Sequence, residues 1–197
     1  MNPNPNNMKS IILGLLIVCF QAVALNAQIS KSGIFRTAND FLSHNLEYAT
    51  PCSDPEHKIF IDPLFKRHQM MVRYNGEVHY LNKDSIYAVQ YCSGAVERLF
   101  QRKTYPMVNP NEPILVYKVT TTQATKGHPI LISWYFSKDA NSPIQQLTIQ
   151  NLLSAFPDNH AFHDAIMADF KTDDELNRYD TMHKMMRINR LFENSKK

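Results

Sequence analysis

Glycine is scarce in this chain, with five residues in 197, at Gly14, Gly33, Gly76, Gly94 and Gly127. No two stand closer than 18 positions. That spacing excludes the dinucleotide fingerprint G-x-G-x-x-G and the phosphate loop G-x-x-x-x-G-K-[ST], which crowd glycines together so that backbone can approach a phosphate. The nucleophile elbow G-x-S-x-G and the collagen-like and Gly/Ser-linker classes are excluded for the same reason. Charge is modest too: 20% of residues are charged and the formal net charge is +3. Such a balance gives no particular attraction to nucleic acid or anionic lipid. What the chain does have is 44% hydrophobic and 11% aromatic residues, enough to bury a core.

Apolar residues run unbroken from Ile11 to Val18 and continue towards Leu25, after a single basic residue, Lys9. A lone positive charge, a short apolar core and small residues before Gln28 predict a secretory signal peptide spanning 1–27 and cut after Ala27. The apolar stretch is short for the roughly 20 residues a membrane helix needs. Residues 28–197 are expected to form one globular domain with no transmembrane segment. Two of the three cysteines, Cys52 and Cys92, remain in the mature part. In an oxidising compartment they are either a disulfide pair or two separate thiols.

The periodicity predicts an α+β fold. A short helix is expected over about 38–47 after a cap at Thr37, followed by a turn-rich loop at Thr50–Pro55. From about 58 to 136 the pattern is β, with five to seven strands in an antiparallel meander that forms a curved sheet or a partly closed barrel. Asn75-Gly76 between Met70–Tyr74 and Glu77–Leu81 is a type I′ hairpin signal. Ser93-Gly94 and the segment holding Gly127 mark further turns, and Gly33 stands before the first element. From about 148 to 194 the period becomes 3.6, predicting a bundle of about three helices. The first starts at Thr148 and the second is capped by Asp158. The third opens at a capping box, Thr172 to Glu175, and ends in bases that include Arg187 and Arg190.

The helical tail also holds the best chemical constellation: His160, His163, Asp164, Asp180 and His183. Spacings of three put His160 and His163, and likewise Asp180 and His183, on one helical face each. If the two helices paired, His160, His163 and His183 could hold zinc and activate a water, the chemistry of a metal-dependent hydrolase. Against that, His163 and His183 fall on apolar stripes, where histidines serve the core by bonding backbone carbonyls or carboxylates. The aromatic-rich strands, the basic clusters Lys66-Arg67-His68 and Arg98 to Lys103, and the pairs Met70-Met71 and Met185-Met186 read as packing and solvated faces.

The segments Leu147–Leu152, Ala155–His160, Phe162-His163, Asp173–Leu176, Tyr179-Asp180, His183–Met185 and Asn189–Leu191 resemble the tails of short exported proteins of Bacteroidota-type bacteria, and the leader ending Asn26-Ala27-Gln28 resembles theirs. The resemblance covers most of the chain from about Ser32. It implies a Gram-negative envelope location, whether periplasmic, outer-membrane-associated or extracellular, and it carries no activity. The reading that follows is a non-enzymatic module with no cofactor, binding an envelope protein or small ligand through the sheet or the loops at 50–57 and 106–113. The alternative is the zinc site at His160, His163 and His183.

Overall fold

The computed structural model describes residues 31–55, 58–63, 68–121 and 130–196. The leader, Lys66, Arg67 and the turn at Gly127 lie outside the described residues. Strand β1 (Lys31–Phe35) leads through helix α1 (Ala38–Leu42) to β2 (Glu47–Pro51). Strands β3 (Lys58–Phe60), β4 (Gln69–Tyr74) and β5 (Glu77–Asn82) form a sheet of their own. Next come β6 (Ala88–Gln90), β7 (Val96–Phe100) and β8 (Lys103–Pro106), then a second three-stranded sheet of β9 (Leu115–Thr121), β10 (Leu131–Ser137) and β11 (Gln145–Gln146). The fold is α+β with antiparallel pairing in every described ladder. None of its described helices is long and apolar enough to cross a membrane.

The meander is not consecutive. β1 lies beside β6 and carries β2 on its outer edge, giving the order β2-β1-β6-β7-β8. At the other edge Met107 bridges Tyr117, and the Val108 amide donates to the Val116 carbonyl at 2.8 Å, so β8 passes into β9. Gly33 therefore stands inside β1 and not before the first element. It sits where the β1–β2 register shifts, and a Cβ there would lie 2.8 Å from the Glu47 carbonyl oxygen. Only a residue without a side chain lets the two backbones close at this point.

The local signals act as their chemistry predicts. Thr37 caps α1 in a full capping box with Asp40. The helix stops at Leu42, short of the expected 47, because the Ser43 hydroxyl donates to the Asn39 carbonyl and His44 turns to a φ of 54°. Asn75 and Gly76 take φ values of 51° and 80°, the pair of positive angles a type I′ hairpin requires.

The tail departs most from the sequence reading. Helix α2 (Ile149–Ala155) is capped by Thr148, whereas α3 (His160–Asp169) is capped by Asn159 and not by Asp158. No long helix follows Thr172. A 3-10 turn at Asp173–Glu175 is followed by a hairpin of β12 (Tyr179–Asp180) and β13 (Met185–Met186), then α4 (Arg187–Asn194). Thr172 makes no side-chain cap; instead the Asp173 carboxylate accepts from the Ile149 amide at 2.8 Å and Glu175 accepts from the Lys171 amide at 2.6 Å. Arg187 and Arg190 open α4 and do not close it, so the ordering of acids and bases along one dipole does not apply.

Three buried clusters hold these pieces. Ile34, Val89 and Leu99 of the main sheet pack with Ile61, Met70 and Val72, while Ile114, Val116 and Phe136 pack with Leu152, Phe162, Ile166, Phe170 and Ile188 of the tail. The third gathers Phe35, Phe41, Ala88, Val96, Leu115 and Tyr117. Arg98 corrects the expectation of a solvated basic face: it is 4% exposed and its guanidinium lies over the rings of Tyr87 and Phe100.

Two asparagine side chains stand in for missing strand neighbours. Asn109 accepts from the Val116 amide at 2.7 Å and donates to the Ile114 carbonyl at 2.9 Å. Asn189, fully buried on α4, accepts from the Ile114 amide at 2.8 Å and donates to the same carbonyl at 2.9 Å. Its amide pairs with Ile114 as a strand residue would. Asn189→Ala is expected to leave the Ile114 N–H buried and unpaired, and to destabilise the fold by about 2–3 kcal/mol. Urea unfolding measures this; a loss below about 0.5 kcal/mol would show that the pairing is dispensable.

Candidate functional site

The candidate histidines are engaged separately. His163 directs its Nε2–H at two carbonyl oxygens that close α2, those of Leu153 at 3.0 Å and Phe156 at 2.9 Å. It thereby satisfies the end of one helix from the side of the next. His160 lies edge-on to the His163 ring at a centroid distance of 6.1 Å. His183 is on the β12–β13 turn, not on a helix, and its Nδ1 lies 3.0 Å from Asp180 Oδ2. Among the described residues no group of three or more His, Cys, Asp or Glu side chains is placed to hold a metal ion. His160, His163 and His183 are thus not brought together.

The two candidate loops are occupied by internal bonds. Cys52 and Cys92 are joined as a disulfide, their Cα atoms 5.5 Å apart. Residues 56 and 57 lie outside the described residues. In the loop before β9, Asn109 serves the sheet as above, and the Glu112 carboxylate accepts from the Met186 amide at 3.0 Å, just where α4 begins. A cavity of about 280 Å³ bounded by Arg36, Asp40, Asn45, Leu46 and Glu47 is likewise closed on itself. Arg36 pairs with Glu47, and Asp40 accepts from Thr37 and Asn45.

The arrangement is different at the C-terminal hairpin. A cavity of about 490 Å³ is lined by Arg178, Tyr179, Asp180, Thr181, Arg187 and Arg190. Folding brings these together because the Arg187 amide donates to the Arg178 carbonyl at 2.9 Å, which lays the start of α4 beside the start of β12. The hairpin between them is built by Asp180. Its Oδ1 accepts from the amides of Met182 and His183, both at 3.0 Å, an Asx-type turn that competes with helix. These bonds, the His183 amide foremost, hold the Asp180 carboxyl below the usual range; the His183 ring and Arg190 add to the effect.

The three guanidiniums are fixed to different degrees. Arg187 is clamped by Asp169 through Nε and Nη2, and Arg178 donates from Nη2 to Glu175. Arg190 places its Nε 3.0 Å from Asp180 Oδ2, an ion pair without hydrogen-bond alignment, and that Nε is buried without a hydrogen-bond partner. Among the described residues the Arg190 side chain makes no hydrogen bond. The lining side chains carry three positive charges against one carboxylate, and that carboxylate is already engaged. The half-exposed Tyr179 ring forms the apolar side.

Of the constellation His160, His163, Asp164, Asp180 and His183, only Asp180 lines this cavity. Three arginines within thirteen positions, Arg178, Arg187 and Arg190, were the available signal, but their convergence depends on a hairpin that the helical periodicity concealed. No protein-family model, curated protein or solved structure matches the chain, so the cavity is read from its own chemistry.

Proposed function

We propose that the chain is an exported, non-enzymatic binding module of the bacterial envelope, and that it takes a small ligand in the cavity between the β12–β13 hairpin and α4. The observation that carries this reading is Arg190, a partly buried guanidinium lining the cavity, whose Nη groups bond nothing among the described residues and whose buried Nε meets Asp180 only as an ion pair. Arg187, by contrast, spends its Nε and Nη2 on Asp169. A donor set held ready at a concave surface is what a ligand needs. The leader and the disulfide support export.

Thermal unfolding tests it. The purified protein is heated with a panel of sodium phosphate, sodium citrate, glucose and phenyl phosphate, alongside the Arg190→Ala variant. At least one compound is expected to raise the Tm of the parent chain and to leave the variant unmoved, since a ligand that binds only the folded state stabilises it by mass action. If no compound raises Tm, or if the variant responds equally, the cavity is not a ligand site.

A further inference from the structure

Resting on that reading, we infer the ligand class: the cavity is built for a phosphomonoester dianion on a small organic group that lies against Tyr179. The donor geometry argues first. A carboxylate presents two coplanar oxygens, which one bidentate guanidinium satisfies. Three guanidiniums arriving from the start of β12 and the first turn of α4 offer more directions than a carboxylate can use. A phosphomonoester presents three terminal oxygens around one centre, one for each guanidinium.

The guanidinium nitrogens left over argue second. Arg178, Arg187 and Arg190 are paired with Glu175, Asp169 and Asp180, so the cluster with its counter-ions is formally neutral, and what it offers an anion is the N–H groups those carboxylates do not take. Glu175 and Asp169 hold one edge each of Arg178 and Arg187, and among the described residues Nη1 of both has no acceptor. These carboxylates thus fix the forks without using them up, and Arg190 keeps its two Nη groups while its Nε is buried beside Asp180. Asp180 does not repel the ligand as a free carboxylate would, because two backbone amides and the His183 ring occupy its oxygens.

The third argument is the wall. Tyr179 lines the cavity and is about half exposed, so a ring or sugar attached to the phosphate would cover apolar surface there, while the Thr181 hydroxyl beside it supplies a polar contact. Guanidinium forks, unlike lysine ammonium groups, combine planar donors with stacking, which suits a phosphate joined to a flat group.

Titration calorimetry of the parent chain with phenyl phosphate, phenyl sulfate and benzoate separates the possibilities without any variant. Phenyl phosphate is expected to bind about tenfold or more tightly than either of the others, and more tightly than inorganic phosphate. Arg190→Ala is expected to lose about tenfold or more in affinity for phenyl phosphate. Tyr179→Ala should reduce phenyl phosphate to the affinity of inorganic phosphate, with both variants checked for a parent-like circular dichroism spectrum. Equal binding of phenyl sulfate would overturn the dianion, and equal or tighter binding of benzoate would overturn the tetrahedral anion. If instead glucose or citrate gives an Arg190-dependent Tm shift while phenyl phosphate gives no heat, the cavity remains a ligand site and only the class assigned here is wrong.

Discussion

Replacing Arg98 with alanine is expected to destabilise the protein by about 4 kcal/mol, among the larger single-residue effects a domain shows. Arg98 enters the core from the middle of β7 and has no carboxylate within ion-pair distance among the described residues. Its Nη1 donates to the Tyr117 hydroxyl at 2.9 Å and to Ser137 Oγ at 3.1 Å, and its Nη2 to the Ser142 carbonyl at 2.9 Å. Its guanidinium carbon lies 4.8 Å from the Tyr87 ring centroid and 5.7 Å from that of Phe100. One cation thus ties β7 to β9, β10 and the segment before β11, taking partial charges in place of a counter-ion. Burial raises the Tyr87 hydroxyl above its ordinary pKa, and Arg98 acts in the opposite direction.

Alanine would remove the ring contacts, leave a void and strip the Ser142 carbonyl of its charged donor. The first two are the usual cost of truncating a large core side chain and the third adds about 1–3 kcal/mol. Methionine should recover roughly half of the loss, because it refills the slot and needs no solvation of a buried charge. A loss of about 4 kcal/mol corresponds to a fall in Tm of roughly 10 °C for a chain of this length. Unfolding in urea measures it; an Arg98→Ala variant within about 1 kcal/mol of the parent would mean that Arg98 occupies its slot without holding it.

Sequence patterns recovered the elements whose ends carry local chemistry and missed those set by contacts elsewhere. Thr37, Thr148 and Asn75-Gly76 each determine their own few residues, and the elements they bound were legible. Strand β8 was not, because the turn before it, Gln101–Arg102, takes φ values of 49° and 64° with no glycine at either position. Arg102 is held there by an ion pair to Asp84 at 3.2 Å, a partner 18 residues back that no local rule consults. The convergence of the arginines was hidden in the same manner. Leu176, Tyr179, Met182 and Met186 repeat with a helical period, yet Leu176 and Met186 are buried while Met182 is the most exposed large hydrophobic residue described. Asp180, folding back on the amides of Met182 and His183, converts that apparent stripe into a hairpin and swings Arg178 against α4. Exposed loops that looked available for binding, such as the one holding Asn109 and Glu112, spend their polar groups on the interior.

Breaking the bond between Cys52 and Cys92 is expected to cost about as much as losing Arg98, by a different route. The two cysteines are 40 residues apart, and closing a loop of that length removes conformational freedom from the unfolded chain worth about 4 kcal/mol. Topology adds a reason for its position. Cys52 follows β2 and Cys92 lies just past β6, the two strands that flank β1 on either side. Both pair antiparallel with β1, so they run parallel to one another and finish at the same end of it. β1 is held by short ladders on each side, and one of them is already interrupted at Gly33. The disulfide closes the two neighbours over the end of that ladder, so β1 cannot leave the sheet without both flanks opening. The Cys52→Ala, Cys92→Ala double variant, or the parent chain in excess dithiothreitol, is expected to unfold roughly 10 °C lower than the oxidised protein. Alkylation under denaturing, non-reducing conditions should label no thiol within residues 28–197 of the oxidised chain and two there after reduction. Two labelled thiols before reduction, or a Tm indifferent to reductant, would remove the disulfide from the account of how β1 is held, and with it one of the supports for export to an oxidising compartment.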